Sequence, residues 1–173
     1  MDWYYIDEVF LNNLRLVESR IPETDYGRDK WKPFFGILFT IGDLAYVTNI
    51  SSPKPRHSGM KNDLDFIKVY DVDLPDDDSL IAVINLNYMF PVPKKYLQQV
   101  DYAVLTSLIS GKSSSELSKY WDFLQKELTI INTLDLGAKA LRLYNLVNKY
   151  KNSKYALRSF DFSNLENVVK TMA

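Results

Sequence analysis

The sequence predicts an α+β fold, in which a compact antiparallel β-sheet core comes first and a helical extension forms the C-terminal half. Three observations favour this class. Short runs rich in Val, Ile, Phe and Tyr, bounded by turn-forming residues, fill residues 1–100. From Ser113 onward, apolar residues recur about every four positions instead of every two, which is typical of helices. No internal repeat divides the 173 residues, so we expect one domain, with its sheet core at about 1–100 and its helical elaboration at about 101–173.

The first half of the chain is predicted to form strands, with one short helix among them. Asp7 follows an aromatic β-prone run and can cap a helix whose apolar residues have helical spacing. Gly42-Asp43 joins two further runs in a predicted hairpin. The predicted strands cover residues 2–6, 33–41, 44–50, 66–70 and 80–86. Pro91 and Pro93 argue against a regular central strand after these, because proline cannot donate to a ladder.

The second half is predicted to form helices. Ser113 and Glu116 have the spacing of a capping box, and one apolar stripe follows them. Its members are Leu117, Tyr120/Trp121, Leu124, Leu128 and Ile131. After a break near residues 133–135, a second helix is predicted to place Ala140/Leu141, Tyr144 and Val147 on one face. Ser163 and Glu166 form another capping-box pattern, which predicts the start of a last helix there.

The composition excludes several kinds of site. The chain contains no cysteine and one histidine, so disulfides and thiolate metal sites are impossible and we expect no metal site. No apolar run approaches the roughly 20 residues that a membrane helix needs, and the first residues lack a basic, signal-like start. We therefore expect a cytoplasmic protein without a membrane partner.

The charge of the chain differs between its two parts. The formal net charge is −1, but residues 1–111 carry 11 Lys+Arg against 16 Asp+Glu, whereas residues 112–173 carry 10 against 6. Five of the acids crowd into residues 71–78, which is typical of a solvated loop. The overall charge therefore leaves room for a local basic groove that binds nucleic acid.

Residues Ser51–Met60 carry the strongest candidate site. This stretch follows a predicted strand and contains hydroxyl, basic and imidazole side chains, among them Ser51, Ser52, Lys54 and His57. Two prolines restrict its backbone, so its side chains would lose little entropy on binding. Hydroxyls and cations on a stiff loop suit a phosphate ligand. The alternative is a solvated loop that is polar only because it lies on the surface.

Four segments, in this order and spacing, resemble the ToxN/AbiQ family of type III toxin–antitoxin endoribonucleases. The first is Phe35-Gly36-Ile37-Leu38. The second is Ser51-Ser52-Pro53-Lys54 with His57 three residues on, which is similar to the family's hydroxyl–Ser-Pro-Lys…His loop. The third runs from Asn85 to Val92 and is similar to the family's Asn-Leu-x-x-Met-x-Pro element. The long helical pair after it is the fourth, so the resemblance covers nearly the whole chain.

The resemblance implies a fold, an activity and a partner. It implies a sheet core similar to that of Kid/MazF-type toxins, extended by helices, and a role in phage abortive infection. The implied activity is sequence-selective cleavage of single-stranded RNA, from cellular or phage transcripts, with no metal or other cofactor. The implied partner is an antitoxin RNA of tandem repeats, each folded into a pseudoknot that occupies the groove of the toxin and inhibits it. Any oligomeric assembly would then form through RNA.

The same resemblance assigns roles to individual residues. Ser51 and Ser52 match the family's active hydroxyl pair, Lys54 matches its loop lysine, and Tyr26 best matches a tyrosine that precedes the hairpin. Basic, amide and aromatic side chains elsewhere are candidates for binding RNA, with plain surface charge as the alternative for each cation. They are Arg28, Lys30, Lys32, Arg56, His57, Lys61, Asn85, Tyr88, Lys94 and Lys95.

RNA carries its own nucleophile, the 2′-hydroxyl, so the protein need only align it, stabilise charge on the transition state and move protons. Lys54 can donate to the phosphate oxygens or to the leaving 5′-oxygen, which would give a 2′,3′-cyclic phosphate. A lone histidine cannot serve as both acid and base, so we interpret His57 as a residue that positions the substrate. A non-catalytic RNA-binding or translation-regulating module that uses the same groove stays open as the alternative function.

Overall fold

The computed structural model describes residues 1–24, 31–76 and 78–172, which form a mixed fold of helices and antiparallel strands. The α+β prediction is therefore confirmed. The strands are β1 Asp2–Ile6, β2 Phe34–Gly36, β3 Thr40–Ile41, β4 Leu44–Ser51, β5 Phe66–Tyr70, β6 Leu80–Asn85, β7 Phe90–Pro93 and β8 Leu97–Gln99. The helices are α1 Glu8–Arg15, α2 Pro55–Ser58, α3 Tyr102–Leu108, α4 Ser114–Ile131, α5 Leu136–Lys149, α6 Lys154–Arg158 and α7 Phe162–Met172.

Strand β4 lies at the centre of the sheet, whose order is β5-β6-β4-β2-β1-β8. One edge of β4 pairs with β2 and β3, and the other edge pairs with β7 and then β6, all antiparallel. Its last residue, Ser51, pairs with Val83 of β6. The candidate loop therefore begins where the central strand leaves the sheet, on a buried and rigid support.

The predicted run at 33–41 forms two short strands instead of one. Between them, the Leu38 N–H donates to the carbonyl of Tyr46 in β4, and the Tyr46 N–H donates to the Phe39 carbonyl. A Cβ atom at Gly36 would lie 2.8 Å from Cγ1 of Val47, so glycine leaves room here for the Val47 side chain of β4. Gly42 has a φ of 58°, the left-handed conformation that the predicted hairpin turn requires.

Strand β7 is consistent with the interpretation of the two prolines, since Phe90–Pro93 forms a strand that pairs with β4 but does not lie in the middle of the sheet. Pro91 lies opposite Tyr46, whose N–H and C=O both bond to the segment on the other edge of β4. The Tyr46–Pro91 pair therefore exchanges no hydrogen bond, and the missing N–H of the proline costs nothing. Strand β7 pairs only with β4 among the described residues, which is the outer position that proline tolerates.

Two of the three predicted helix starts are confirmed. Asp7 accepts a hydrogen bond from the Phe10 N–H at 2.9 Å, and Ser113 with Glu116 forms the predicted capping box of α4. The predicted start at Ser163 is wrong, because α7 begins at Phe162 and Asp161 accepts from the Asn164 N–H at 3.1 Å. The pattern of serine and glutamate three apart lies within the helix instead.

Helices α5 and α7 are anchored on the central strand by one buried carboxylate. Glu166 of α7 accepts hydrogen bonds from the hydroxyls of Tyr46 on β4, at 2.7 Å, and Tyr144 on α5, at 2.8 Å. Burial and the neighbouring Glu166 raise the pKa of Tyr144 to about 12. The core is continuous from α1 through the sheet to α7. Within the described ranges, none of the helices has the length and apolar character needed to span a bilayer.

Candidate functional site

The candidate loop is a short extended segment between β4 and a one-turn helix. We call residues 51–54 the serine loop. Ser51 is half-buried, whereas Ser52, Pro53 and Lys54 are exposed. Lys54 has extended backbone angles, φ −119° and ψ 157°, and Pro55 begins α2 with a ring that already has helical φ. This helix was not predicted, and it gives Lys54 a defined backbone position at the N-cap.

The buried side chain of His57 holds the serine loop in place through a hydrogen bond from the Lys54 backbone. Its Nδ1 accepts a hydrogen bond from the backbone N–H of Lys54 at 3.0 Å, the contact that Glu or Gln makes in an ordinary capping box. The side chain is 4% exposed and packs on Phe66 with ring centroids 5.6 Å apart. Lys68 of β5 donates to the carbonyl of Ser58 at 2.8 Å and so holds the other end of α2.

The protonation state of His57 follows from these contacts. Because Nδ1 accepts a hydrogen bond, a neutral ring carries its proton on Nε2, and the nearby Arg56 Nε at 3.4 Å then has no lone pair to bond. Burial, assisted by Arg56, Lys54 and Lys68, lowers the pKa of His57 below its ordinary value. The imidazole is therefore neutral at pH 7, and its main contacts position Lys54.

A cavity of about 300 Å³ lies on one side of the serine loop; we call it the Lys54 cavity. It brings together six of the predicted residues, Ser51, Lys54, Arg56, His57, Asn85 and Tyr88. The Tyr88 ring is half-buried and already stacks on Phe160, with centroids 5.1 Å apart. Three polar residues that the sequence interpretation missed, Asp65, Asn87 and Arg158, also line this cavity.

A second cavity, of about 220 Å³, lies between the serine loop and α4; we call it the Glu127 cavity. Its polar lining residues are Ser51, Ser52, Lys32 and Glu127, and the rest of its wall is apolar or aromatic. The Lys32 Nζ lies 3.4 Å from Oγ of Ser52, so this predicted cation reaches the serine loop. The Tyr120 hydroxyl donates to the carbonyl of Trp31 at 2.8 Å, which fixes the backbone just before Lys32.

The remaining candidates lie apart from the serine loop or outside the described residues. Lys94 and Lys95 are exposed in a short 3₁₀ turn after β7, beside the opposite end of β4. Lys61 is exposed in the segment after α2 and lines neither of the two cavities. Tyr26, Arg28 and Lys30 lie outside the described residues.

Asn49 and Glu127 are two further residues beside the serine loop that the sequence interpretation missed, although the sequence contained a signal for each. Asn49 precedes Ser51 by two positions in a strand, which places both on one face, and its Nδ2 lies 3.3 Å from the Ser51 Oγ. Glu127 falls three residues after Leu124 and four before Ile131, so a charged residue occupies the buried stripe of α4. No local signal indicates Arg158, because packing of α6 brings it 93 residues back to Asp65.

Two carboxyl groups have pKa values shifted in opposite directions: Asp63, which pairs with Arg158 of the Lys54 cavity, and Glu127, which lines the other cavity. The Lys154 ammonium, with the Tyr155 hydroxyl and Arg158, holds the pKa of Asp63 well below its ordinary value. Burial raises the pKa of Glu127 to about 7, against the opposing effect of Lys32. In the ranges 1–24, 31–76 and 78–172, no three His, Asp or Glu side chains lie close enough together to hold a metal ion.

Comparison with known proteins gives one family match and two curated relatives. The family described as toxin ToxN of the type III toxin–antitoxin system matches residues 2–170. The endoribonuclease ToxN of Pectobacterium atrosepticum is 24% identical over 151 residues, which cover 85% of this chain and 81% of the relative. The endoribonuclease ToxN of Bacillus thuringiensis subsp. kurstaki is 26% identical over 121 residues, covering 68% of this chain and 57% of the relative.

Three solved structures share the fold. One belongs to a bacterial antiviral system regulated by a processed non-coding RNA; it has a TM-score of 0.75, 24% identity and 98% coverage of both chains. Another is a type III toxin inhibited by a non-coding RNA pseudoknot, with a TM-score of 0.73, 21% identity and coverage of 98% of this chain and 96% of that one. The third is AbiQ, a lactococcal anti-phage endoribonuclease, with a TM-score of 0.73, 18% identity and coverage of 99% and 96%.

Proposed function

The chain belongs to the ToxN toxin family of type III toxin–antitoxin systems, and from this premise we propose that it is an endoribonuclease whose reactive centre is the serine loop. One observation carries the proposal. The exposed ammonium of Lys54 and the hydroxyls of Ser51 and Ser52 lie together on a loop that β4, Pro55 and His57 hold in place, between two cavities. Cations and hydroxyls in fixed positions are what a phosphodiester transition state requires.

The proposed reaction uses groups of the RNA, of the serine loop and of two residues outside it. The 2′-oxygen attacks the adjacent phosphorus and passes its proton to water, the P–O5′ bond breaks, and the products are a 2′,3′-cyclic phosphate and a free 5′-hydroxyl. Lys54 donates a proton to the departing 5′-oxygen, while the hydroxyls of Ser51 and Ser52 hold the non-bridging oxygens. Lys32, beside Ser52, adds positive charge. In this scheme no metal takes part, and Tyr26 is a further proposed catalytic residue.

We extend the proposal to partners and setting. The two similar structures with non-coding RNA suggest that an antitoxin RNA, folded into pseudoknots and made of tandem repeats, occupies the groove and blocks the serine loop. The similarity to AbiQ suggests defence against phage. We place the protein in the cytoplasm with its RNA substrates, as one domain without a membrane partner, and fractionation of cells that express it would test this location.

Purified protein incubated with denatured total RNA in excess EDTA tests the activity and the mechanism together. We expect new 5′-hydroxyl ends at a recurring sequence, and a loss of roughly a hundredfold or more in Lys54→Ala, because a transition-state contact is often worth about 3–4 kcal/mol. Lys170→Ala, an exposed lysine of α7, is the matched control and should cut normally. Absence of cleavage by the unmodified protein, with tight RNA binding kept, would favour a non-catalytic module; activity restored only by magnesium would overturn the mechanism.

A further inference from the structure

The Glu127 cavity has features that the proposed chemistry does not use. Its volume of about 220 Å³ is below the range of roughly 300–1,000 Å³ that is typical of sites for drug-sized ligands, so it suits one ring system. Most of its wall is apolar or aromatic, contributed by Trp3, Ile50, Ile81, Tyr120, Phe123 and Leu124. It also shares Ser51 and Ser52 with the serine loop. A ligand here would therefore lie directly beside a phosphate held by that loop.

The polar groups of the aromatic wall are already satisfied within the protein. The Trp3 indole N–H donates to the Leu124 carbonyl at 3.0 Å, and the Tyr120 hydroxyl donates to the Trp31 carbonyl. Tyr120, which is half-buried, therefore offers a ligand only its ring surface, whereas Trp3 is 1% exposed. Phe123 is 46% exposed, so its ring is accessible to a ligand from solvent. Ring surfaces without free polar groups are suited to stacking on an unpaired base.

Glu127 is the polar residue that would orient a ligand in this cavity. It is 6% exposed, lines the cavity, and makes no hydrogen bond or ion pair with any residue that the structure describes. A mostly buried carboxyl group on an otherwise apolar wall is a costly placement, which a hydrogen bond from a ligand would offset. Its carbonyl oxygen can accept a hydrogen bond whether the group is neutral or ionised.

We propose that the Glu127 cavity binds one unpaired nucleobase next to the cleaved phosphate, and that the Glu127 carboxyl accepts a hydrogen bond from the exocyclic amino group of that base. Adenine, cytosine and guanine carry such an amino group. Uracil instead has one N–H between two carbonyl oxygens, so where the other bases have an amino group it would set an acceptor against the ionised carboxylate, which cannot donate. The cavity would therefore discriminate against uracil at one position beside the cut. This inference rests on the proposed endoribonuclease function.

The test compares the base preference of variants that still cut RNA. Once the preferred site is mapped, four short RNAs that differ only at one neighbouring position are cleaved by the unmodified protein, Glu127→Gln and Glu127→Leu, for each position around the cut. We expect the unmodified protein to disfavour uracil at one position by about tenfold, the effect of losing one hydrogen bond to a base edge. Both variants should reduce this to about twofold, because leucine removes the acceptor and the glutamine amide can donate to uracil. Asp122→Asn, an exposed acid on the same helix, should keep the full discrimination.

The base preference and the cleavage rate of the Glu127 variants distinguish a base-reading role from the alternatives. Unchanged base preference at all positions in an active Glu127 variant would overturn it, while cleavage itself would leave the proposed function standing. If circular dichroism shows that Glu127→Leu fails to fold, Glu127→Gln alone decides. Variants that fold and bind RNA but cut none of the four RNAs would make Glu127 a participant in the chemistry and overturn its role as a base reader. If the unmodified protein cuts no RNA, the proposed function fails and this inference fails with it.

Discussion

Lys54 supplies the serine loop with both a positive charge and an exchangeable proton, and substitution can separate the two. Arginine keeps the charge, but its much higher pKa makes it a far poorer proton donor than lysine, and its planar fork has a different shape. If Lys54 protonates the leaving oxygen, Lys54→Arg should bind antitoxin RNA nearly as well as the unmodified protein and cut at least about a hundredfold more slowly. Binding by filter retention and single-turnover cleavage measure the two effects. A cleavage rate within about threefold of that of the unmodified protein would mean that Lys54 only binds the phosphate and does not protonate the leaving oxygen.

His57 is predicted to act through the backbone of Lys54. The unfolded imidazole titrates near pH 6.5, whereas burial lowers the pKa of the folded one, so between these values the unfolded chain binds more protons. The contribution of His57 to stability is therefore full above about pH 6.5 and declines as the pH falls below it. His57→Gln can still accept from the Lys54 N–H and should remove this pH dependence, which urea unfolding at pH 5.5 and pH 8 would measure.

Two companion measurements separate positioning from catalysis at His57. His57→Leu keeps the packing on Phe66 but leaves the Lys54 N–H without its acceptor, which should cost about 1 kcal/mol and slow cleavage. His57→Gln should restore most of the cleavage rate. If both variants were equally inactive while Lys54→Ala still cut RNA, His57 would be the catalyst, and the role assigned to Lys54 would be wrong.

Glu166 joins the central strand β4 to helices α5 and α7 through a single carboxylate. Glu166→Ala would leave the buried hydroxyl of Tyr46 and the half-buried hydroxyl of Tyr144 without an acceptor, which should destabilise the protein by about 2–3 kcal/mol. Glu166→Gln keeps an acceptor and should cost about 1 kcal/mol. The free energy of unfolding in urea measures both, with Lys170→Ala on the same helix as the control. Equal losses in the two Glu166 variants would mean that packing volume, and not hydrogen bonding, determines the stability here.

The elements predicted correctly are those with a strong local signal. Asp7 and Ser113 lie directly before helical patterns, and the Gly42-Asp43 turn requires the positive φ that glycine adopts. Ser163 misled the prediction because a serine and a glutamate three apart also occur inside helices. Strand β7 was missed because proline lacks a backbone N–H and usually interrupts a strand. Here Pro91 lies opposite Tyr46, whose backbone N–H and C=O bond to the other edge of β4, and this arrangement depends on a partner strand that is distant in sequence.

The serine loop could be found from sequence because its chemistry-bearing residues are contiguous. Its supports could not, since Glu127 and Arg158 reach it only through packing of α4 and α6 against the sheet. For His57, the structure adds a contact that the sequence did not indicate. A lone histidine in a polar loop suggested contact with the substrate, but its side chain is buried and bonds to the backbone of Lys54.

Ion pairs between the two parts of the chain partly offset their unequal charge. Acids just before β5 pair with cations of the later helices: Asp63 with Lys154 at 2.8 Å, Asp63 with Arg158 at 3.0 Å, and Asp65 again with Arg158. Lys126 of α4 pairs with Asp71. The excess of basic residues after residue 111 is thus partly used to attach helices to the sheet. Cations near the serine loop, such as Lys32 and Arg56, are better placed to bind RNA.

Lys94 and Lys95 test how far bound antitoxin RNA extends across the molecule. They lie beside the end of β4 opposite Ser51, roughly 20 Å from the serine loop at about 3.3 Å per strand residue. A folded RNA can span this distance, and each phosphate contact that is lost should lower the slope of log affinity against log salt by about 0.7–0.9. We therefore expect Lys94→Ala and Lys95→Ala each to weaken antitoxin binding and to reduce that slope by nearly one, with Lys170→Ala as the unaffected control. Slopes equal to that of the unmodified protein would confine the antitoxin to the neighbourhood of the serine loop, and binding insensitive to salt would contradict recognition through phosphates.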